Sequence, residues 1–313
     1  MEIIEVDAGE YKNIIDKPFH AYGSSAFNSL NDKKCEKVYY LLFKEGKYRL
    51  GIIGGIMTND FHSPFSAPFG GFSFVSGSIR LEYMEEAIEV FLNWLKIKDI
   101  KSVSLTLPPV FYYHGFITKQ INCLWRAGFS LAAIDLNYSL DIDRLGESYT
   151  EKLWRNSRNK LRIALNADLK LKKAANAEEK MQAYQIIAEN RNSRGYPLRM
   201  TWEQIEETTE IISADFFLVE YSSQQNIASA IVFHVASEIV QVIYWGDLPG
   251  YSEIKPMNFL AYSLFVHYKN SGKRFIDVGP STENSVPNYG LSEFKEGIGC
   301  DIFPKISLVK ALV

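Results

Sequence analysis

A strand, a glycine-rich segment and a lysine follow one another near the end of the chain. The run Phe275-Ile-Asp-Val-Gly279 has the composition of a strand and ends on Asp277 and Gly279. Asn288 then opens the run Asn-Tyr-Gly-Leu-Ser-Glu-Phe-Lys, which predicts a short helix from which Lys295 projects. Polar groups at the end of a strand beside a loop are a common binding geometry. The stretch therefore predicts a ligand site, and the alternative is a solvent-exposed lysine.

Two arginines precede a turn at the predicted end of a helix. The run is Arg191-Asn-Ser-Arg194-Gly-Tyr-Pro. Guanidinium groups bind carboxylates and phosphates through charge-assisted hydrogen bonds. We therefore expect Arg191 and Arg194 to contact an anionic part of a ligand.

A basic segment lies between the two halves of the chain. Residues 149–173 hold eight basic and two acidic side chains, a net charge of +6 in a chain whose formal charge is −3. Helical spacing puts Arg155, Arg158 and Arg162 on roughly one face. Three apolar side chains are expected to point inward from the same helix: Trp154, Leu161 and Leu165. The basic face attracts phosphates of a nucleotide, coenzyme A or tRNA, and the alternative is a solvated helix surface.

An apolar loop is predicted in the first half. Residues 63–72 read Ser-Pro-Phe-Ser-Ala-Pro-Phe-Gly-Gly-Phe. Prolines and glycines give such a loop a defined shape, so Phe69, Gly70 and Gly71 are candidates to line a substrate cleft. A packed connection is the alternative.

The sequence lacks the signature motifs of several classes of protein. The sequence has no GxSxG, GxxxxGK[ST] or GxGxxG run, so the signatures of hydrolases, P-loop NTPases and Rossmann dehydrogenases are missing. Its three cysteines and five histidines form no CxxC, HxxxH or HxH pair, so we expect no metal site. The acidic N-terminal stretch does not resemble a signal peptide, and no run approaches the ~20 apolar residues of a membrane span. We expect a cytoplasmic protein.

Hydrophobic periodicity predicts the elements that position these residues. In the first half we expect two strands joined by a turn at Glu45-Gly46, then a helix, a strand, a helix and a strand. The expected ranges are 38–44, 47–57, 81–96, 100–107, 116–127 and 129–140.

The second half repeats this order after three helices, expected at about 152–162, 177–193 and 201–213. A polar turn at 223–226 joins its first two strands, and Pro256 begins its long helix. The expected ranges are 216–222, 227–236, 239–245, 257–270, 274–278 and 302–309.

The shared order of elements predicts a duplicated unit of the α/β (α+β) class. We expect one unit at residues 1–145 and a second at 146–313, each a mixed, mostly antiparallel sheet flanked by helices. The alternative is two unrelated α+β domains.

Three runs together carry a family resemblance. They are Lys160-Leu-Arg-Ile-Ala-Leu before a helix, then Arg191 with Arg194-Gly-Tyr-Pro, then Phe275-Ile-Asp-Val-Gly279 with Gly290-Leu-Ser-Glu-Phe-Lys295 and Gly299. The last run is similar to the "(F/D)xG … GL..FK..FG" ending of the FemAB-like branch of the GNAT (acyl-CoA N-acyltransferase) superfamily. The resemblance covers most of the chain and is clearest from Tyr149 to Phe303. It implies two tandem GNAT-like units with a substrate cleft between them.

The resemblance also implies a reaction. Members of the family move an acyl or aminoacyl group to an amine by direct attack, with no covalent enzyme intermediate. The implied donor is acyl-CoA or aminoacyl-tRNA, with no permanently bound cofactor, and the implied acceptor is a cell-envelope precursor, a sugar or a small molecule. DNA is not expected as a partner. Lys295 matches the lysine of the FK motif, so it is expected to stabilise negative charge at the reacting carbonyl, with Phe294 packed nearby.

The other candidate site residues follow from position or from the resemblance. Asp277 and Glu283 are candidates for the general base, as is His234, for which core packing is the alternative. The candidate substrate-binding residues are Phe69, Gly70, Gly71, Arg191, Arg194, Tyr244, Asn288, Tyr289 and Phe294. The candidate donor-binding residues are Arg155, Arg158, Lys255 and Asn258.

Departures from the family pattern keep the donor and the activity open. The GNAT pyrophosphate loop, (Q/R)xxGx(G/A), is replaced by Gly246-Asp-Leu-Pro-Gly-Tyr-Ser-Glu-Ile-Lys-Pro256, although the helix that follows can still offer N–H groups to an anion. The long charged coiled-coil arm associated with tRNA in some FemA-type enzymes is also missing. The alternatives are therefore a non-catalytic ligand-binding protein on a GNAT scaffold and an RNA-binding module that uses the basic segment.

Overall fold

The computed structural model describes residues 1–77, 79–146, 149–222 and 225–312. The chain forms two compact units. The first unit contains Met1–Leu136, Thr282–Val286 and Phe303–Val313, and the second contains Asn137–Ser281 and Pro287–Ile302. Duplication of one ancestral unit, with a boundary after residue 145, stays a prediction.

The strands and helices are numbered along the chain. The strands are β1 (Glu2–Val6), β2 (Lys37–Glu45), β3 (Lys47–Met57), β4 (Asp60–Ser63), β5 (Phe72–Phe74), β6 (Ser102–Thr106), β7 (Ser130–Asp141), β8 (Leu169–Lys173), β9 (Ala214–Tyr221), β10 (Gln225–Phe233), β11 (Ile239–Asp247), β12 (Phe275–Pro280), β13 (Thr282–Glu283), β14 (Val286–Pro287) and β15 (Asp301–Ala311). The helices are α1 (Ala8–Ile14), α2 (Ser25–Leu30), α3 (Leu81–Ile97), α4 (His114–Arg126), α5 (Ile142–Leu145), α6 (Tyr149–Lys152), α7 (Arg155–Asn166), α8 (Ala177–Ser193), α9 (Trp202–Thr209), α10 (Pro256–Asn270) and α11 (Tyr289–Gly297).

The longer elements lie close to their predicted ranges, and the differences have local causes. The helix expected at 201–213 is shorter, since α9 ends at Thr209; its start is fixed by a capping box in which Thr201 and Gln204 satisfy each other's backbone N–H groups. The turn expected at 223–226 lies partly outside the described residues, and β10 already begins at Gln225. The short elements β1, α1, α2, β4, β5 and β8 were not predicted.

The first unit contains a mixed, mostly antiparallel sheet. Its strand order is β1-β2-β3-β4-β6-β15, with β5 also on β3. Only β4 and β6 are parallel among these described pairs, and the chain between them passes through α3. A parallel pair needs such a crossover because its strands run in the same direction.

Alternation along β2 and β3 places side chains on both faces of this sheet. Leu41 and Ile52 join the large core that includes residues of α3 and α4. Their neighbours Leu42 and Ile53 join a smaller cluster with Tyr11 of α1. Because consecutive strand residues point to opposite faces, an apolar run with no polar alternation predicts a sheet covered on both sides.

The second unit repeats this architecture. Its strand order is β7-β12-β11-β10-β9-β8, and only β11 and β12 are parallel among these described pairs. Their connection passes through α10. Strands β9 and β10 are buried over most of their length, and α8 and α10 both pack against β10. The predicted fold class is confirmed: each unit is a mixed, mostly antiparallel sheet flanked by helices.

One prediction concerns the close contact between β3 and β4. A Cβ atom added to Gly54 would lie 2.2 Å from the ring of Phe61. We expect Gly54→Ala to lower the free energy of unfolding by about 2 kcal/mol, because a packed core does not yield to an added methyl group. Urea denaturation measures this. Gly115→Ala is the control, since its Cβ would meet no atom within 4 Å, and it should be neutral or slightly stabilising. Equal stability of the two variants would contradict the packing argument.

Candidate active site

Two neighbouring parallel strands part in the middle of the second unit. Strands β11 and β12 are paired at Ile239 with Phe275, at Val240 with Ile276 and at Gln241 with Asp277. Beyond that point β11 remains paired with β10 as far as Asp247, and β12 remains paired with β7 as far as Pro280. The facing edges of β11 and β12 have no strand between them in the described part of the chain. They can therefore offer backbone groups to an extended ligand.

A β-bulge follows the last shared pair on each strand. Where β11 pairs with β10, the extra residue on β11 is Ile243, because Val242 and Tyr244 face consecutive residues of β10. In the ladder with β7, the extra residue on β12 is Val278. A bulge bends its strand and increases the local twist. The two bulges account for the separation of the strands.

The predicted general base Asp277 lies at the last shared pair and is fully buried. Its Oδ1 accepts hydrogen bonds from Asn137 Nδ2 and from the backbone N–H of Gly279, and its Oδ2 accepts one from Gln241 Nε2, all at 2.8 Å. These partners come from β7, β12 and β11. This set of donors favours a role in holding the strands over one in proton transfer.

Lys295 and Phe294 lie on α11 beside the end of β12. Lys295 is 2% exposed, and its Nζ donates hydrogen bonds to the carbonyl oxygens of Gly279 and Pro280, each at 2.9 Å. The ring of Phe294 lies 5.8 Å from the ring of Trp245 on β11. The two side chains of the FK motif thus contact both strands that border the opening. The alternative of a solvent-exposed lysine is wrong, because Lys295 is buried.

Asn288 and Tyr289 lie at the start of α11. Asn288 Oδ1 accepts a hydrogen bond from the N–H of Leu291 at 3.1 Å, so this side chain caps the helix. Its Nδ2 donates to the hydroxyl of Tyr196 at 3.1 Å. Asn288 therefore joins the helix that carries Lys295 to the loop after Arg194. Tyr289 is 80% exposed.

Arg191, Arg194 and Tyr244 form a cationic cluster where α8 ends beside β11. The guanidinium of Arg191 lies 5.9 Å from the ring of Tyr244, and its Nε is buried with no hydrogen-bond partner among the described residues. Arg194 pairs with Asp247 at 3.3 Å. Burial lowers the pKa of Arg191, while burial raises the pKa of Asp247 against the attraction of Arg194. An anionic group would satisfy the buried donor of Arg191.

Sequence reasoning missed the side chains that hold these residues. Asn190 donates from Nδ2 to the carbonyl oxygen of Asp247 at 2.7 Å and fills the space beside Gly246. Gln241 and Asn137 support Asp277. Polar residues inside apolar strands are a usable signal, because a buried amide requires a partner.

The predicted cleft loop of the first unit is a packed connection. Phe69 is 1% exposed and lies among the rings of His20, Tyr22 and Tyr112. The N–H of Gly70 donates to the carbonyl oxygen of Thr106, immediately beyond the β4–β6 pair. Phe69 thus does not line an open cleft. The cavity against Gly70 and Gly71 measures about 10 Å³, room for one water molecule.

The remaining candidates are dispersed. Glu283 is an exposed residue of the first unit. Arg155 is exposed on α7, whereas Arg158 donates to the carbonyl oxygens of Glu151 and Leu153. Asn258 is buried in the first turn of α10.

The apolar stripe predicted for α7 is only partly correct. Leu161 is buried, but Trp154 and Leu165 are 48% and 47% exposed. The buried face is formed by Leu161 with two small residues, Ser157 and Ala164, and Ser157 lies against Gly297 of α11.

The loop between β11 and α10 uses its own backbone N–H groups. Those of Ile254 and Lys255 donate to the carbonyl oxygens of Tyr251 and Ser252, and those of Asn258 and Phe259 both donate to that of Lys255. Lys255 has a φ of 55°, and Pro256 has no N–H group. The start of α10 therefore offers few donors to a pyrophosphate.

His234 lies apart from the opening, in a polar cluster around the buried carboxylate of Asp215. Its Nε2 is 2.8 Å from Asp215 Oδ2, which also accepts a hydrogen bond from the hydroxyl of Tyr268 at 2.9 Å. Lys173 pairs with the other oxygen at 2.6 Å. Burial alone would raise the pKa of Asp215, but the hydrogen bonds from His234, Lys173 and Tyr268 outweigh it and lower the pKa. This arrangement favours the packing alternative for His234.

Similar folds occur among solved structures. The structure of FemX aligns with a TM-score of 0.71 and 12% identity over 99% of this chain and 97% of that chain. L-PGS from Bacillus licheniformis gives 0.63 and 12% over 97% and 92%. A tandem GNAT protein from the clavulanic acid biosynthesis pathway gives 0.51 and 9% over 100% and 98%. The chain thus shares the fold of these three structures.

No family model and no curated protein sequence matches this chain. Within the described residues, no helix combines the length and the apolar character needed to span a membrane. The same residues contain no cluster of three or more His, Cys, Asp or Glu side chains placed to hold a metal ion.

The Asp215 cluster predicts a specific acid sensitivity. A carboxyl group whose pKa is lowered by folding stabilises the protein fully above its ordinary pKa of 3.8 and loses this contribution as the pH falls toward the lowered value. We expect Asp215→Asn to lose about 2 kcal/mol at pH 7, the range of hydrogen bonds to a charged group, and progressively less as the pH falls below 3.8. Urea denaturation at several pH values measures this. Asp99→Asn, at an exposed pair with Lys101, should change little, and a pH-independent loss in Asp215→Asn would contradict the assignment.

Proposed function

We propose that this chain, which has the FemAB-like fold of the GNAT superfamily, is an N-acyltransferase that works in the second unit. The observation that carries the proposal is the opening between β11 and β12, bordered by the FK motif on α11. The backbone edges at the opening suit an extended donor, and Arg191 with Tyr244 suits an anionic part of a substrate. The acceptor is an amine of a cell-envelope precursor, a sugar or a small molecule.

The proposed reaction needs no covalent enzyme intermediate. The nitrogen of the acceptor amine attacks the carbonyl carbon of the donor, and the carbonyl oxygen becomes an oxyanion. The bond to the leaving oxygen or sulfur then breaks, an amide forms, and the amine gives up a proton to the leaving group or to water. A fixed cation beside the oxyanion lowers the barrier because it needs no reorganisation. Lys295 is the proposed cation.

The loop between β11 and α10 favours aminoacyl-tRNA over acyl-CoA as the donor. The N–H groups of residues 254, 255, 258 and 259 are used within the loop and the first turn of α10. Helix α7 supplies a second support, since it exposes Arg155, Arg158 and Arg162 and contains no acidic residue. Phosphate contacts of this kind supply most of the sequence-independent affinity for nucleic acid.

A transfer assay tests the activity and the donor together. The purified protein is incubated with a mixed aminoacyl-tRNA pool or with acetyl-CoA, in the presence of amines from the three acceptor classes, and new amides are detected by mass spectrometry. We expect an amide from the tRNA pool. An amide formed only from acetyl-CoA would show that acyl-CoA, and not aminoacyl-tRNA, is the donor. No amide from either donor would favour a non-catalytic binding protein.

The same assay tests Lys295. We expect Lys295→Met to lower kcat about 100-fold or more, the usual effect of removing one oxyanion donor, and Lys295→Arg to retain a larger part of the rate. Thermal unfolding shows whether each variant is folded. Lys310→Met, whose amino group contacts the carbonyl oxygen of Gly128 in the first unit, should be fully active. A folded Lys295→Met with the wild-type kcat would remove Lys295 from the reaction.

Salt dependence tests the role proposed for α7. Binding of tRNA should weaken as salt increases, and the slope of log affinity against log salt should fall by about one in Arg155→Ala, because one phosphate contact is lost. Filter binding at several salt concentrations measures this slope. Lys101→Ala, at an exposed position of the first unit, is the charge-matched control. Identical slopes for the two variants would exclude α7 from the surface that binds tRNA.

A further inference from the structure

A ladder of buried polar side chains crosses three adjacent strands where the opening begins. Asn137 of β7, Asp277 of β12 and Gln241 of β11 are 2%, 0% and 4% exposed. Gln241 and Asp277 are also the last residues at which β11 and β12 face each other. The ladder thus lies at the point where the two strands part.

The polar ladder specifies more than an apolar contact would. A buried carboxylate is retained only where donors surround it. Apolar side chains at these positions would also hold the strands, but they tolerate sliding and rotation. Two directional hydrogen bonds of 2.8 Å, from Asn137 of β7 and Gln241 of β11, fix both the distance between the strands and their register.

The ladder also fixes the bulge on β12. The N–H of Gly279 donates to Asp277 Oδ1, and the carbonyl oxygen of the same residue accepts from Lys295 Nζ. Gly279 has a φ of 72°, a left-handed conformation that favours glycine. The two backbone groups of this one residue are therefore held by Asp277 and Lys295, so Asp277 and the FK motif act on the same residue.

We propose that Asp277, Gln241 and Asn137 are positioning residues that set where β11 and β12 separate and so fix the site of the acyl donor. The inference rests on the proposed function for its kinetic consequence. It replaces the assignment of Asp277 as general base, because the carboxylate is engaged by three strands of the sheet. The free protein carries the ladder, so its effect on the strands is measurable without any donor.

A single substitution inverts one hydrogen bond of the ladder without changing its shape. In Asp277→Asn, Oδ1 keeps its bonds to Asn137 and Gly279, while an NH₂ group replaces Oδ2 and faces the NH₂ group of Gln241. Two buried donors then oppose each other, and neither has an acceptor. We expect KM for the aminoacyl-tRNA pool to rise about tenfold, with little change in kcat. Backbone amides of residues 242–247 and 278–281 should exchange faster with deuterium.

A second substitution restores the complementarity. In Asp277→Asn with Gln241→Glu, the NH₂ group of residue 277 donates to a carboxylate at residue 241, and the net charge of the pair is that of the wild type. We expect KM and the amide exchange rates to return to within about threefold of the wild-type values. The reason is that a donor at residue 277 again faces an acceptor at residue 241. A general base at residue 277 would not be restored in this way, because the double variant still lacks the carboxylate there.

The outcomes separate this proposal from the proposed function. Rescue in the double variant supports positioning, whereas a kcat that stays low with a normal KM and an altered pH profile would restore Asp277 as a base and overturn it. Exchange rates equal to the wild type in Asp277→Asn would also overturn it. If the wild type transfers nothing, the proposed function fails, and deuterium exchange alone decides the role of the ladder.

Ser229→Ala, which removes a buried 2.7 Å hydrogen bond on β10, is the control and should lower stability without changing KM.

Discussion

A carboxylate excluded from water must find donors inside the protein, and Asp277 finds them on three neighbouring strands. This constraint governs the second unit. The side chain lies between Asn137 and Gln241 and accepts a hydrogen bond from each. These bonds link β7, β12 and β11 to one another at one point along their length. Beyond Gln241 and Asp277, β11 and β12 each bulge; β11 stays paired with β10, and β12 stays paired with β7. The opening begins at this point, and Asp277 and Lys295 hold the two backbone groups of Gly279 there.

The first unit shows what the same architecture does without such a constraint. Its parallel pair β4–β6 continues through all four residues of β4. The chain then turns into residues 64–71, and the N–H of Gly70 extends the contact to Thr106. Aromatic rings around Phe69 complete the packing. The place that is open in the second unit is occupied here by the loop, so the chemistry proposed above is confined to the second unit.

Sequence patterns revealed the long elements and the candidate motifs, but not the contacts that define the site. Continuous apolar runs placed β3, β9 and β10, and an apolar stripe placed α10, near their observed positions, because those elements bury much of their surface. Elements such as β4 and β8 are too short and too mixed for a period to be read. The FK motif pointed to Lys295, yet no spacing in the sequence links residues 137, 241 and 277. They meet only because three strands distant in sequence become neighbours. Exposure of Trp154 was also unpredictable, since this residue lies just before α7 and two of the three buried residues of that helix are small.

The first unit is assembled from segments that are far apart in the sequence. This affects the order in which the two units are completed. The first unit begins at the start of the chain, but β6 pairs with β15, and Thr106 meets Ser307 across 201 residues. Contacts so distant in sequence form slowly. During synthesis the second unit has most of its residues before the first can close its sheet. Until the final strand emerges, β6 presents an open edge to other chains. Of these two units, the one whose strands are made earlier is therefore completed later.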